Sequence, residues 1–476
     1  MTTTPSPPPS IPSSHALALD AFTTLLPPSS LCTAPAALRA RSHTPWSPAA
    51  PAATPWAILY PSSTADVSAI LQICSKYSIP VTGYAGGTSL GGALAASRQG
   101  VCVDFARMDR VLEVGVEDMD VRVQPGVGWV EMNALLKEGE GKGLFFPVDP
   151  APGARVGGMI AMSCSGTNAY RYGTMKAWVL SLTVVLADGT VVRTGGRSRK
   201  SVAGYDLKSL VIGSEGTLGL VTEAVLRLAK VPENVHVVIA VFESIGAAVQ
   251  AALGIVREGI GEAVEFVDAN GMRATNKAMP GVVWEEKPTL FLKFAGKGEI
   301  AVQETEIAKK LCYQNDCKEF RVSGDEKQVE AWWAARKALA RNLLSMKNDP
   351  TDLFLSADAA VPVSKFAQFV EETEEEMRGA GFFCGQMGHI GDGNVHTAVV
   401  CAEKDRGEAE ILLNKVRRRA LRLEGTITGE HGVGLELRDL LVEEVGESGI
   451  HVLRMIKKAL DPKGLLNVDK VVTWEC

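Results

Sequence analysis

Three of the seven histidines sit where side-chain chemistry is possible. His389-Ile390-Gly391-Asp392-Gly393-Asn394-Val395-His396 carries two imidazoles on a glycine-rich turn that enters an apolar strand, Thr397 to Cys401, so the turn can bring the rings together. Farther on, Thr426-Ile427-Thr428-Gly429-Glu430-His431-Gly432-Val433-Gly434 supplies a carboxylate and a third imidazole between glycines. Two histidines and a glutamate make a three-ligand set for a divalent ion, with positions left for a bidentate substrate. Spacing alone leaves a second reading open, two ordinary turns, because ligands also need outer partners to orient them. His15, His43, His236 and His451 stand singly and read as surface or structural residues.

A second chemical signal is glycine. Gly83-Tyr84-Ala85-Gly86-Gly87-Thr88-Ser89-Leu90-Gly91-Gly92 packs five glycines and the aliphatic hydroxyls of Thr88 and Ser89 into ten residues. Glycine permits positive φ and close backbone approach, so successive N–H groups can converge on an anion such as a pyrophosphate, although such loops also serve as plain tight turns. Neither a Gly-Lys-Ser/Thr phosphate loop nor a GxGxxG fingerprint is present. Small-residue clusters recur at Pro147 to Pro150, Gly157-Gly158, Ser163 to Asn168, Tyr172-Gly173 and Gly213 to Gly219, which suits a long ligand threaded through the domain.

These loops need elements to hold them. From Trp56 the pattern reads strand (Ala57 to Tyr60), helix (Val67, Ile70, Leu71, Cys74), strand (Pro80 to Thr82) and glycine loop, followed by short strands such as Val121 to Val123 and Leu180 to Leu186. Residues 56–230 are expected to form one α+β body. Beyond Pro232, a strand (Val235 to Phe242), a helix (Ile245 to Val256), a strand (Thr289 to Phe294) and a charged helix (Glu299 to Leu311) predict a second sheet covered by helices. Thirteen of the 24 prolines fall in the first 61 residues, so residues 1–14 read as a disordered tail and 15–55 as an extended arm with one short helix after Ser14.

Composition bounds the function. A chain of 476 residues suggests about three domain-sized units. A net charge of -6 without a basic stripe argues against phosphate-neutralising nucleic-acid binding. The one basic run, Arg417 to Arg419, is expected on a solvated helix face. No apolar run approaches the length of about 20 residues that crosses a bilayer. Nine scattered cysteines fit a reducing compartment, and Cys312 with Cys317 lacks the spacing and companions of a metal site.

Together these segments resemble the PCMH-type FAD-binding domain of the vanillyl-alcohol oxidase family, in the branch of FAD-linked D-lactate dehydrogenases that includes D-2-hydroxyglutarate dehydrogenase and glycolate oxidase. The match runs from about Ala37 to the C-terminus. It implies an α+β fold: an FAD-binding domain of two α+β subdomains (56–230), a cap with an antiparallel sheet covered by helices (231–422) and a C-terminal segment returning to the flavin (423–476). It also implies FAD, with the pyrophosphate on Ala85, Gly86, Gly87, Thr88, Ser89, Leu90, Gly91 and Gly92. The isoalloxazine is expected near Pro150, Gly157, Gly158, Ser165, Gly166 and Thr167, with Tyr172, Gly173, Glu215, Gly216, Gly219 and Asn467 along the cofactor. Covalent attachment in such proteins uses His or Cys in these loops. The first loop has no His and Cys164 reads as a small buried filler, so the FAD is expected to be non-covalent.

The resemblance further implies a divalent ion, zinc or manganese, on His389, His396 and Glu430, with His431 as base and Arg336 clamping the substrate carboxylate. A neutral imidazole titrates in the range a base needs, and the planar guanidinium suits a carboxylate. Relatives that take D-2-hydroxyglutarate recognise its distal carboxylate with a Lys and an Asn. Here Ser356 and Ala398 occupy those positions, which would leave a second carboxylate without partners. D-lactate is therefore the expected substrate, with D-2-hydroxyglutarate or glycolate as alternatives. The acceptor carries no motif in this chain, and cytochrome c is the one the resemblance implies. A non-catalytic flavoprotein subunit is the reading from a different class, and it predicts decay of the ligands, base or clamp. A mitochondrial address follows from the resemblance, although no Arg precedes Arg39 as an Arg-rich presequence would require, and cytoplasm is the alternative.

Overall fold

A computed structural model describes residues 13–42, 44, 53–279, 281 and 283–474. Most of the expected N-terminal tail lies outside the described residues, and the helix expected after Ser14 spans Ser13–Leu25.

The first sheet contains β1 (Leu31–Cys32), β2 (Ala57–Leu59), β3 (Val81–Tyr84) and β4 (Val101–Asp104), in the order β1-β2-β4-β3. Both β2 and β3 run parallel to β4, as a strand-helix-strand crossover through the helix Thr64–Tyr77 requires. That helix starts at Ser63, whose side chain accepts the Asp66 N–H, and buries Val67, Ile70, Leu71 and Cys74. The second sheet is antiparallel and holds β5 (Val111–Gly115), β6 (Asp120–Val123), β8 (Val179–Val185), β9 (Val191–Arg193) and β10 (Leu220–Arg227), ordered β5-β6-β10-β8-β9. A small ribbon pairs β7 (Leu144–Phe145) with β11 (Ala229–Lys230).

The third sheet is the largest. Its strands are β12 (His236–Phe242), β13 (Ala263–Val267), β14 (Thr289–Phe294), β15 (Cys317–Ser323), β16 (Leu353–Ala360), β17 (Phe383–His389) and β18 (Asn394–Cys401). They lie antiparallel in the order β15-β12-β14-β13-β17-β18-β16. Residues 237–242 of β12 are apolar throughout because both faces are covered: Val238, Ala240 and Phe242 enter one core, Val237, Ile239 and Val241 another. The helices Ile245–Glu258, Ile300–Gln314, Phe366–Gly379 and Arg406–Arg422 cover the first face, and Glu326–Lys337 packs on the second.

The basic run corrects an expectation. Arg417 and Arg419 are buried, and only Arg418 among the three is exposed. The helix Arg406–Arg422 is flanked by the sheet and by the helix Phe366–Gly379, so Arg417 turns to β16 and Arg419 to the neighbouring helix. Arg417 donates to the Ser356 carbonyl and Asn414, and Arg419 to Thr373 and Glu376. Hydrogen-bonded guanidinium groups with packed alkyl stems tolerate this burial.

After the helix Arg438–Leu460 the chain returns to the first sheet. The Val81 N–H donates to Leu465 O, and the Asn467 N–H to Val81 O, both at 2.8 Å. Residues 465–467 thereby extend the β3 edge beside the glycine loop.

Candidate active site

The two imidazoles come from a hairpin rather than from its turn: His389 ends β17 and His396 lies inside β18. Their register pairs His389 with Asn394 and Met387 with His396, so the two histidines are diagonal neighbours on one face. Asp358 of β16 pairs with His396, and Ser356 with Ala398, on that same face. The loop 428–434 crosses above it and brings in Glu430 and His431.

Ligand atoms of His389, His396 and Glu430 lie within 4.8 Å of one another. Glu430 Oε1 is 3.2 Å from His396 Nε2 and 3.7 Å from His389 Nε2. Burial alone would raise the Glu430 pKa, but the two imidazoles outweigh it and hold this carboxyl well below the usual range. Two ring nitrogens and an ionised carboxylate facing one point fit a divalent cation. A second cluster, Asp358, His396 and His431, shares His396 with the first.

Asp358 organises the loop above. Its carboxylate accepts Asn394 Nδ2 at 2.6 Å, Thr428 Oγ1 at 2.9 Å and the backbone N–H groups of Glu430 and His431 at 2.7 and 2.9 Å. The His431 ring stacks on His396 with centroids 5.0 Å apart. Burial lowers the His431 pKa below its ordinary value, and the partly opposing Asp358 charge does not reverse this, so the ring is neutral near pH 7. A neutral imidazole beside a cluster able to hold a cation can take a proton from a bound hydroxyl.

Glu265 and Arg336 complete the cluster. Arg336, on the helix Glu326–Lys337, is buried and pairs through Nη2 with Glu265, while its Nε has no hydrogen-bond partner. Glu265 in turn lies 2.8 and 2.9 Å from His389 Nδ1. This glutamate escaped the motif-based reading. Its only sequence signal is a single charge within Ala263-Val264-Glu265-Phe266-Val267, an otherwise apolar strand. Asp358 escaped likewise within Leu353–Ala360.

The glycine loops meet along one seam. A Cβ on Gly86 would lie 2.6 Å from Gly153 O, so this loop needs glycine to rest against residues 153–155. Ser89 Oγ reaches Met162 Sδ, and the Glu215 N–H donates to Ala161 O. Gly434, at φ +53°, approaches Gly91 so closely that a Cβ would lie 1.9 Å from its carbonyl oxygen. Thus the loop 84–92 abuts the loop carrying Glu430 and His431. Glu215 strengthens the junction by accepting the Val433 and Gly434 N–H groups at 2.7 and 2.9 Å. Thr167 donates to Asp149 at 2.6 Å, beside Pro150 and the buried Ser165 to Gly166 turn. Asp149 also pairs with Lys337 at 2.8 Å, one residue beyond Arg336.

Asn467 Oδ1 and Lys470 Nζ are buried near Glu215 without hydrogen-bond partners, and burial pushes the Lys470 pKa down to about 7. Orphaned polar atoms beside glycine loops fit a large polar cofactor such as FAD. Tyr172 and Gly173 are partly buried and Gly219 is buried: Tyr172 packs edge-on against Phe145, and Gly219 rests on Val184. Cys164 is partly buried and burial raises its thiol pKa well above the ordinary value, which makes it a poor nucleophile.

Comparison with known proteins places these observations in a family context. Residues 55–195 match the model described as "FAD binding domain", and residues 231–471 the one described as "FAD linked oxidases, C-terminal domain". The mitochondrial D-lactate dehydrogenase [cytochrome] of Kluyveromyces lactis is 43% identical over 426 residues, covering 88% of this chain and 73% of that protein. Its Arabidopsis thaliana counterpart is 39% identical with the same coverage, and the glycolate oxidase subunit GlcD of Bacillus subtilis is 33% identical over 88% and 89% of the two chains. Among solved structures, 4-ethylphenol oxidase from Gulosibacter chungangensis superposes with TM-score 0.78 at 19% identity over 98% of this chain and 99% of its own. p-Cresol methylhydroxylase gives the same TM-score at 16% identity, covering 98% of each chain. These two likenesses establish the fold alone.

Proposed function

The chain belongs to the FAD-linked oxidases, and from that premise we propose that it oxidises a short D-2-hydroxy acid, D-lactate to pyruvate, with non-covalent FAD and a divalent ion, zinc or manganese, held by His389, His396 and Glu430. The observation carrying this reading is the convergence of two Nε2 atoms and Glu430 Oε1 beside the neutral His431 and the buried Arg336.

Arg336 receives the substrate carboxylate through donors that Glu265 leaves free. This contact orients the molecule so that its hydroxyl points toward His431. His431 takes the hydroxyl proton, while the Cα–H bond breaks with its electron pair. When bound, FAD supplies the acceptor for that hydride, and the divalent ion makes the hydroxyl a stronger acid. Asp358 keeps the base and Glu430 in place through their backbone N–H groups. The pair Ser356 and Ala398 offers neither a cation nor an amide to a second carboxylate, which favours a monocarboxylate over D-2-hydroxyglutarate.

The relatives named for a cytochrome acceptor support cytochrome c as the physiological electron sink. The deciding experiment mixes the FAD-loaded protein with D-lactate without oxygen and follows the flavin band. Bleaching by D-lactate, with slower or no bleaching by D-2-hydroxyglutarate, glycolate and L-lactate, is expected. A flavin that stays oxidised with every acid removes the proposal and favours a non-catalytic flavoprotein.

A further inference from the structure

Glu265 is a buried carboxylate with two partners, and both belong to the proposed chemistry. It stands on β13, where the register Phe266 to Gly388 and Val267 to Met387 runs on to set Glu265 beside His389. Its side chain is 1% exposed, so water cannot replace a missing partner. One side chain therefore faces His389 Nδ1, at 2.8 and 2.9 Å, and Arg336 Nη2.

We infer that Glu265 is the positioning residue that sets the cation-binding and carboxylate-binding halves of the site in register. The inference rests on the roles given above to His389 and Arg336. A neutral imidazole that donates Nδ1–H to a carboxylate leaves the Nε2 lone pair on its opposite edge for a cation, and here that edge faces Glu430. A planar guanidinium held through one terminal nitrogen can no longer swing about its alkyl stem, so its remaining donors point in fixed directions. Because both anchors are oxygens of one carboxylate on a central strand, the distance between ion and clamp is set by Glu265. That distance must match the separation of hydroxyl and carboxylate in a 2-hydroxy acid, one carbon apart. An apolar residue here would leave both donors buried and unpaired, which explains a charge in the middle of an apolar strand.

The test compares wild type with Glu265→Gln and Glu265→Asp, all FAD-loaded. A carboxamide presents an NH2 to one of two donors, whereas Asp keeps the charge at shorter reach. Zinc affinity is measured by competition with a chelator, and oxalate affinity by perturbation of the flavin spectrum in metal-free protein. In Glu265→Gln both are expected to fall 10- to 100-fold, with smaller losses in Glu265→Asp and unchanged FAD content. Zinc and oxalate affinities within twofold of wild type in Glu265→Gln overturn the inference, as does a lowered melting temperature with both affinities intact. Should Glu265→Gln not fold, histidine-15N spectra of zinc-loaded wild type decide the matter: His389 carrying its proton on Nδ1 supports the inference, and a proton on Nε2 overturns it. A wild-type protein that takes up no zinc fails the metal reading separately. The oxalate measurement then decides alone, with a tenfold loss in Glu265→Gln supporting the inference and parity overturning it.

Discussion

Asp358 Oδ2 accepts the backbone N–H of Glu430 at 2.7 Å, and the same oxygen accepts that of His431 at 2.9 Å. A side chain from the edge strand β16 thus holds the main chain of two adjacent functional residues contributed from 72 and 73 positions later. Asp358→Asn replaces one acceptor oxygen by an amino group that meets donors. The expected result is a 10- to 100-fold weaker hold on zinc and slower flavin reduction, with FAD retained. Metal titration and rapid mixing check this, and an unchanged zinc affinity would show that the loop keeps its shape unaided.

The ion itself is tested by removal. Exhaustive chelation, or His396→Ala, is expected to abolish turnover while FAD stays bound. Full activity in protein that elemental analysis finds free of divalent ions would falsify the ligand assignment.

The base is tested at His431. A general base contributes about 10²- to 10⁴-fold, so His431→Asn should slow flavin reduction by that order with little change in the FAD spectrum. A purely structural role predicts weaker FAD binding instead, at a nearly normal rate per bound flavin. A reduction rate within threefold of wild type removes His431 from the mechanism.

Substrate choice is tested at Ser356 and Ala398, which are cross-strand partners on the face that carries Asp358 and His396. The unmodified enzyme should show a higher kcat/KM for D-lactate than for D-2-hydroxyglutarate. Ser356→Lys with Ala398→Asn should shift the ratio toward the diacid. A tenfold preference for the diacid in the wild type, about 1.4 kcal/mol, contradicts the reading of both positions.

A pH-dependent contribution to stability is expected at Asp268. Burial raises its pKa to about 7, although it accepts the Gly271 and Gln386 N–H groups at 2.6 and 2.9 Å. The folded protein therefore binds this proton more tightly than the unfolded chain. The stabilisation is complete below the unfolded value of 3.8 and is lost as pH rises through about 7. Asp268→Asn stays neutral and keeps a good N-cap for the helix Ala269–Ala278. Its melting temperature relative to wild type should rise between pH 5 and pH 8. A flat difference across that range means that the carboxyl is ionised throughout.

Much of the architecture was legible because period and punctuation are local. The crossover from Ala57 to Tyr84, the apolar strands His236–Phe242 and Thr289–Phe294, and the helix after Ser244 follow from apolar spacing, capping side chains and glycine. The glycine loops and the histidines could be picked out for the same reason, since their residue types are unusual wherever they lie. Arg417 and Arg419 run against the sequence expectation because charge is a poor guide to burial when hydrogen-bond partners arrive from a distant strand and a neighbouring helix.

The sequence by itself determined which groups were available: two histidines seven positions apart, a Glu-His pair between glycines, and loops able to approach an anion. Only the tertiary structure decided that Glu265 and Asp358 serve them. Each is one acidic residue among apolar or small neighbours, and nothing nearby in the chain names the donors it will meet. Their partners are fixed by strand register and by a loop crossing the sheet, over separations of 36 to 124 residues. Burial then makes those contacts obligatory, because a carboxylate removed from water needs donors, and folding alone determines which donors lie within reach.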